Sequence, residues 1–522
     1  MTTAAVFFSV VTPVYEPPVE ALREMILSVR AQDYDAWELI LVDDCSPSES
    51  VREEIRRHVA ADSRVRLIER AVNGGIVAAS NDGVAEARGD FIALVDHDDL
   101  IVETALSTVA AAIHETPDVD YLYSDEDKLG ADGQLYDLFQ KPTWSPERLR
   151  SQMYTSHLGV LRTDLVREVG GFRPGFDGSQ DHDLVLRVTE RARSVRHIPE
   201  VLYHWRVVPG SAAGQVDAKP YAWLAGQKAV QSHVDRLGLR AKVELGATQG
   251  TYELRRELDP STFVSIVIPT RGSSGYIWGE KRCFVLEAVR SVLAHTEHQL
   301  LEIVVVHDSS TPQVVLDELA ELVGDRLVLV EYVSEFNFSD KCNTGFLASR
   351  GDVVVMLNDD VEVVSDGFVE QLVAPLSEAD VGMTGARLLF PDNTIQHAGH
   401  AYYQRHLRHP YMGSPAEEVG YLGVLRVNRE VSGLTAACVA VRREVFDEVG
   451  GFCELLPANF NDVDFSLKIL SAGYRNVWLS EVVLYHFESK TRVPVVHAWE
   501  AALIYSRWDV AGVDRYLPGL VE

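Results

Sequence analysis

Two stretches decide how this chain folds: Gly89-Asp-Phe-Ile-Ala-Leu-Val-Asp-His-Asp98 and Gly351-Asp-Val-Val-Val-Met-Leu-Asn-Asp-Asp360. Each is a Gly-Asp turn, a short apolar run rich in branched residues, and then a cluster of carboxylates. A run that is apolar at every position and bounded by turn residues reads as a strand buried on both faces, as in a parallel sheet. The carboxylates then fall at the carboxyl end of that strand, where open α/β sheets bind their ligands.

The likeness of the two stretches extends in both directions. Phe8-Ser-Val-Val-Thr-Pro13 returns as Val264-Ser-Ile-Val-Ile-Pro269, and Leu39-Ile-Leu-Val-Asp-Asp44 as Ile303-Val-Val-Val-His-Asp308. Val169-Gly-Gly-Phe172 returns as Val449-Gly-Gly-Phe452, and Val201-Leu-Tyr-His204 as Val483-Leu-Tyr-His486. The order is kept, while an insertion in the second copy separates its acidic strand end from the Val-Gly-Gly-Phe turn. The unit is far longer than a solenoid repeat, so the chain is a duplicated domain. Boundaries at 1–258, including a helix-and-strand linker over 207–258, and at 261–522 are expected. Between the strand runs, Leu22, Met25, Ile26 and Val29 fall on one helical face. The βαβα alternation predicts an α/β fold with a mostly parallel sheet in each half.

Composition removes other readings. A length of 522 residues fits more than one domain, and 46% apolar with 24% charged residues is ordinary for a globular protein. The net charge of −30, spread almost evenly over the halves, argues against a nucleic-acid binder and against broad adhesion to anionic lipid. No apolar run is long enough for a membrane span, and no basic n-region suggests a signal peptide. Five cysteines without a CxxC pair fit a reducing compartment. A cytoplasmic location is expected, peripheral to a membrane only through an acceptor or partner.

The chemistry concentrates at the strand ends. Paired carboxylates such as Asp96 and Asp98 either hold a hard divalent cation or raise their own pKa. The second copy keeps Asp360 in register with Asp98 and has Asn358 in place of Asp96, which marks Asp98 and Asp360 as metal ligands. His204 and His486 are placed to complete the sphere around Mn²⁺ or Mg²⁺. Gln180-Asp-His-Asp183 and Asn461-Asp-Val-Asp464 each open a helix pattern. Their first aspartates, Asp181 and Asp462, are candidate general bases, and Asp183 and Asp464 are capping or supporting groups.

The ordered set, from Ser-Val-Val-Thr-Pro-Val-Tyr15 and Val-Asp-Asp44-Cys-Ser through Asn73-Gly-Gly, Asn81-Asp-Gly, Asp96-His-Asp-Asp and Gln-Asp181-His-Asp-Leu to Tyr-His204-Trp, resembles the GT-A glycosyltransferases of family 2. The second copy, with Phe336-Asn-Phe-Ser339, Asn343-Thr-Gly and Phe460-Asn-Asp-Val-Asp-Phe465, resembles their rhamnosyltransferase-like branch. The resemblance implies inverting transfer from a nucleotide-diphospho-sugar, UDP- or dTDP-linked, to a glycan or lipid-linked glycan acceptor. It further implies donor contacts from Pro13, Tyr15, Asp44, Asn73, Asn81, Asp96 and Asp125, and from Pro269, Thr270, Asp308, Asn343 and Asp359. Asp98, His204, Asp360 and His486 would hold the metal, and Asp181 and Asp462 would be the bases. Three departures are notable: His307 for an aspartate, Asn358 for Asp96, and Gln180 for an acid.

Two competent sites building a surface polysaccharide are expected. The alternatives are one active domain beside a degenerate acceptor-binding one, or a non-catalytic carbohydrate scaffold. Trp144 is placed to stack on an acceptor ring. His397-x-x-His400 and His406-x-x-His409 have metal-box spacing but fall in the insertion, where solvent-facing or acceptor-lining roles are expected. The segment His497–Val510 has little basic charge and is expected to dock on the second domain rather than lie on a membrane.

Overall fold

The computed structural model describes residues 5–207, 220–404, 406–487, 496–510 and 512–519; part of the 207–258 linker, residues 208–219, lies outside them. Two large sheets form, with the same order of equivalent strands. The first runs Val65–Glu69, Trp37–Asp43, Phe8–Val14, Phe91–Leu94, Gly159–Arg162, Val119–Leu129, Ser194–Arg206 and Leu100–Ile101. The second runs Leu327–Tyr332, Leu301–Asp308, Val264–Thr270, Val353–Leu357, Cys438–Arg442, Val381–Leu389, Arg475–His486 and Val361–Val363. The first four strands of each are parallel, and the fifth runs antiparallel beside the acidic strand. The fold is α/β with two sheet cores, and the duplication is structural as well as textual.

The repeated motifs have matching physical reasons. A Cβ on Gly89 would lie 2.4 Å from the Ser9 nitrogen, and one on Gly351 2.6 Å from the Ser265 nitrogen, so only glycine lets the chain pass there. The Ser9 hydroxyl accepts from the Gly89 amide at 2.8 Å and donates to Glu38 at 2.7 Å. Ser265 does the same with Gly351 and Glu302, each at 2.7 Å. Asp90 and Asp352 then accept from the Phe7 and Phe263 amides. The Gly-Asp dipeptide therefore locks the start of the acidic strand against the first strand and serves the fold.

The helix expected from Leu22, Met25, Ile26 and Val29 forms as Val19–Arg30 and buries all four. The linker helix Pro220–Arg236 and the hairpin Ala241–Leu245/Tyr252–Arg256 bury Ala229, Val230, Val234, Val243, Tyr252 and Leu254 in the first core. All five cysteines are free. Among the described residues no helix is long and apolar enough to cross a membrane.

A buried ionic network joins the halves. Arg256 forks onto Glu147 with bonds of 2.7 and 2.8 Å and reaches Glu378 at 3.0 Å. Arg150 bonds Glu147 at 3.0 Å and Glu378 at 2.9 Å. Glu430, fully buried, accepts from the Glu147 amide, the Ser145 hydroxyl and Arg475.

Candidate active sites

In the second half the strand ends line a cleft of about 460 Å³ that holds Pro269, Thr270, Asp359, Asp360, Asp462 and His486 together. His486 Nε2 lies 3.2 Å from Asp360 and 3.2 Å from the Asn358 amide nitrogen, and its Nδ1 is held by Gln396 at 2.7 Å. Burial works against a charge on Asp360, but the neighbouring imidazole holds its carboxyl below the ordinary range. Asp359 accepts from the Thr270 hydroxyl at 2.6 Å; enclosure and the Asp360 charge push it up to about 7. Asp462 opens the helix Asn461–Ser471, as the sequence predicts. Asp464 is buried and held by Trp508, Arg507 and Lys468, a supporting role. The tail helix Ala498–Arg507 thus docks on this domain, with Glu500 accepting from Asn459.

Asp308 is paired with Lys341, whose ammonium donates to it at 2.6 Å and to the Thr270 carbonyl at 2.9 Å. Sequence reading missed Lys341. Its signal was a lone lysine on a helix whose equivalent position in the first copy is Ala79.

The first half arranges the same strand ends differently. Asp181 opens the helix Gln180–Thr189. It is open to solvent yet crowded by surrounding protein, and that crowding with the Asp96 charge pushes it up to about 6. Asp98 is raised by burial and by Asp96. His204 is held through Nδ1 by Asp127 at 2.5 Å. Beside the expected pair Asp98 and His204, a group of ligand atoms converges within 4.8 Å in this half at Asp96, Asp99 and His157. The strand that carries His204 pairs it with Leu100 and leaves its ring against Asp127. His157 had no sequence signal. It stacks on Tyr203 at 4.6 Å; burial opposes its charge, but Glu126, Asp96 and Asp99 raise it to about 9. Asp99 is pushed up to about 8 by burial and by Asp96, and accepts from Tyr203 and the Arg206 amide.

Several expected donor contacts are committed elsewhere. Asn81 clasps the Phe172 backbone with both polar atoms, at 2.8 Å each, and Asn343 clasps Phe452 identically at 3.0 Å. These asparagines tie the helices Gly75–Glu86 and Phe338–Ala348 to the Val-Gly-Gly-Phe turn of their own half. Asp44 accepts from the Gly74 and Gly75 amides at 2.9 and 2.8 Å and from Arg70. Asn73 donates to the Asp44 carbonyl. Asp125 accepts from His197 and the Lys141 amide within the sheet, and Trp144 packs against the core. Pro13 and Tyr15 remain at the open edge, Tyr15 being 48% exposed.

The histidines of the insertion are regrouped. His397 and His400 are buried rather than solvent-facing, and the third member of their cluster is His409, not His406. All three line the cleft. Burial and the neighbouring rings lower His397 well below the ordinary imidazole range and His400 to about 4.

The sequence model of glycosyl transferase family 2 matches residues 9–170 and 265–450. A Sinorhizobium fredii protein called uncharacterized protein y4gI is 42% identical over 93% of this chain and 53% of its own length. The O-antigen biosynthesis protein RfbC of Myxococcus xanthus is 34% identical over 96% of this chain and 39% of its own. The chain thus spans about half or less of these two relatives. A crystal structure of S. aureus TarS 1-349 overlays at a TM-score of 0.36 with 20% identity, covering 44% of this chain and 65% of that one, too loosely to bear on function. Since the family's sequence pattern occurs once on each sheet, across both sets of acidic strand ends, the chain belongs to glycosyl transferase family 2.

Proposed function

We propose that this glycosyltransferase carries two metal-dependent inverting sites, each moving a sugar from a UDP- or dTDP-linked donor to a growing surface polysaccharide or lipid-linked glycan. The observation that carries the reading is the pairing, in both halves, of an acidic strand end with an aspartate opening the facing helix. The name of the Myxococcus relative supports a polysaccharide product. The donor set of the second half fits a divalent cation: Asp360 and His486 adjoin, and Asn358 Oδ1 beside them is buried without a partner. In the first half the fit falls on Asp96, Asp99 and His157. Such a cation, when bound, neutralises charge on the leaving diphosphate.

The remaining work belongs to side chains of this protein. Asp462 and Asp181 accept the proton of the attacking acceptor hydroxyl, and the nucleophile enters opposite the leaving group, so the anomeric centre inverts in one displacement. Lys341 holds the Asp308 carboxylate in place beside the Thr270 carbonyl. A second reading, one active domain beside a degenerate one, is favoured by Asp44, whose carboxylate is already filled by Arg70 and two amides. Isothermal titration of UDP- and dTDP-sugars with and without Mn²⁺ tests both. Two metal-dependent binding events per chain support two sites, one supports the degenerate partner, and none overturns the enzyme reading.

A further inference from the structure

We propose that His397, His400 and His409 form a further metal site in the second half, suited to a nitrogen-preferring divalent cation of the Zn²⁺ class and separate from the carboxylate set at Asp360. The three imidazoles come from different points of the insertion: the end of the strand Ile395–His397, the loop before Ala401–Tyr403, and the residue after His406–Arg408. Their ring centroids lie 5.1, 5.1 and 4.8 Å apart, and one nitrogen from each converges within 4.8 Å of the others.

Two details point to an ion rather than a histidine stack. His397 Nδ1 and His409 Nδ1 are 3.0 Å apart. Two nitrogens each about 2.1 Å from one ion stand roughly 3.0–3.4 Å apart at right-angled to tetrahedral geometry. His400 is only 4% exposed, which fixes its imidazole inside the protein beside the other two. The neighbourhood accommodates ligation. His397 ligates through Nδ1 as its Nε2–H tautomer, exchanging its 3.0 Å bond to His409 and the long 3.3 Å contact from the Thr435 amide for the ion. Three neutral nitrogens without a carboxylate among them select Zn²⁺, Co²⁺ or Ni²⁺ over Mg²⁺. A fourth position faces the cleft shared with Asp462, which is the form of a site that presents its ion to a ligand.

Co²⁺ titration of the full chain, followed by visible absorption and competed with Zn²⁺, is the test. The expected result is a Co²⁺ held by several imidazoles, additional to any ion at the two carboxylate sets, displaced by Zn²⁺ and retained in Asp360→Asn. His409 is exposed, so His409→Ala should fold normally by circular dichroism. It should weaken Co²⁺ binding on the order of 100-fold or more, since losing merely an outer partner of a ligand already costs about 10–100-fold. His406→Ala should change nothing. Equal binding by wild type and His409→Ala, or loss of the bound Co²⁺ in Asp360→Asn, would overturn the proposal.

Discussion

The two candidate bases occupy the same place in their domains but not the same surroundings. Asp181 is pushed up to about 6 by the surrounding protein and by Asp96. A base accepts a proton only when ionised, so transfer by the first half falls as pH drops through about 6 and levels off above it. In an Asp462→Asn background the pH–rate profile should show that acidic limb; a limb near about 4, the ordinary carboxylate range, would contradict the assignment. Lys341 gives a second prediction at this scale. Lys341→Met removes the cation holding Asp308, and donor affinity of the second half should fall roughly ten-fold, the effect of losing about 1.4 kcal/mol. Titration against the wild type checks it, with the first-half site as internal control.

At the level of single elements, the strands and helices that carry the chemistry were legible because their signals are local. The apolar run Phe91–Leu94, the one-faced helix Val19–Arg30 and the helix starts at Gln180 and Asn461 depend on neighbours within a few residues. What escaped depends on chain segments meeting in space. Asn81 and Asn343 read as donor contacts, yet their partners are backbone atoms 91 and 109 residues away. His157 gains its neighbours only because the strand Gly159–Arg162 lies between Phe91–Leu94 and Val119–Leu129. The asparagine clasp carries its own prediction. Asn343→Ala leaves the Phe452 amide and carbonyl unpaired and should cost about 1–3 kcal/mol, measured by denaturant unfolding. Donor affinity in the folded fraction should be unchanged; a selective loss of donor binding with no loss of stability would restore the asparagine to the nucleotide site.

For the whole molecule, duplication was readable because ordered motifs survive divergence, while the joint between the copies was not. That joint is assembled from Glu147, Arg150, Arg256, Glu378, Glu430 and Arg475, which are scattered through the sequence and buried only after both sheets form. Glu147→Ala leaves Arg256 and Arg150 short of a partner inside the interface. Breaking such a buried pair costs about 3–5 kcal/mol, so thermal unfolding should move to lower temperature or split into two transitions. The acidity is distributed over both halves, in keeping with the proposal of two cation-dependent sites. That claim of two sites is tested most directly by product analysis of Asp181→Asn and Asp462→Asn against the wild type with a panel of UDP- and dTDP-sugars. Each variant should lose one transfer by about two orders of magnitude or more and keep the other. If one variant abolishes every transfer and the other abolishes none, the chain has a single active site.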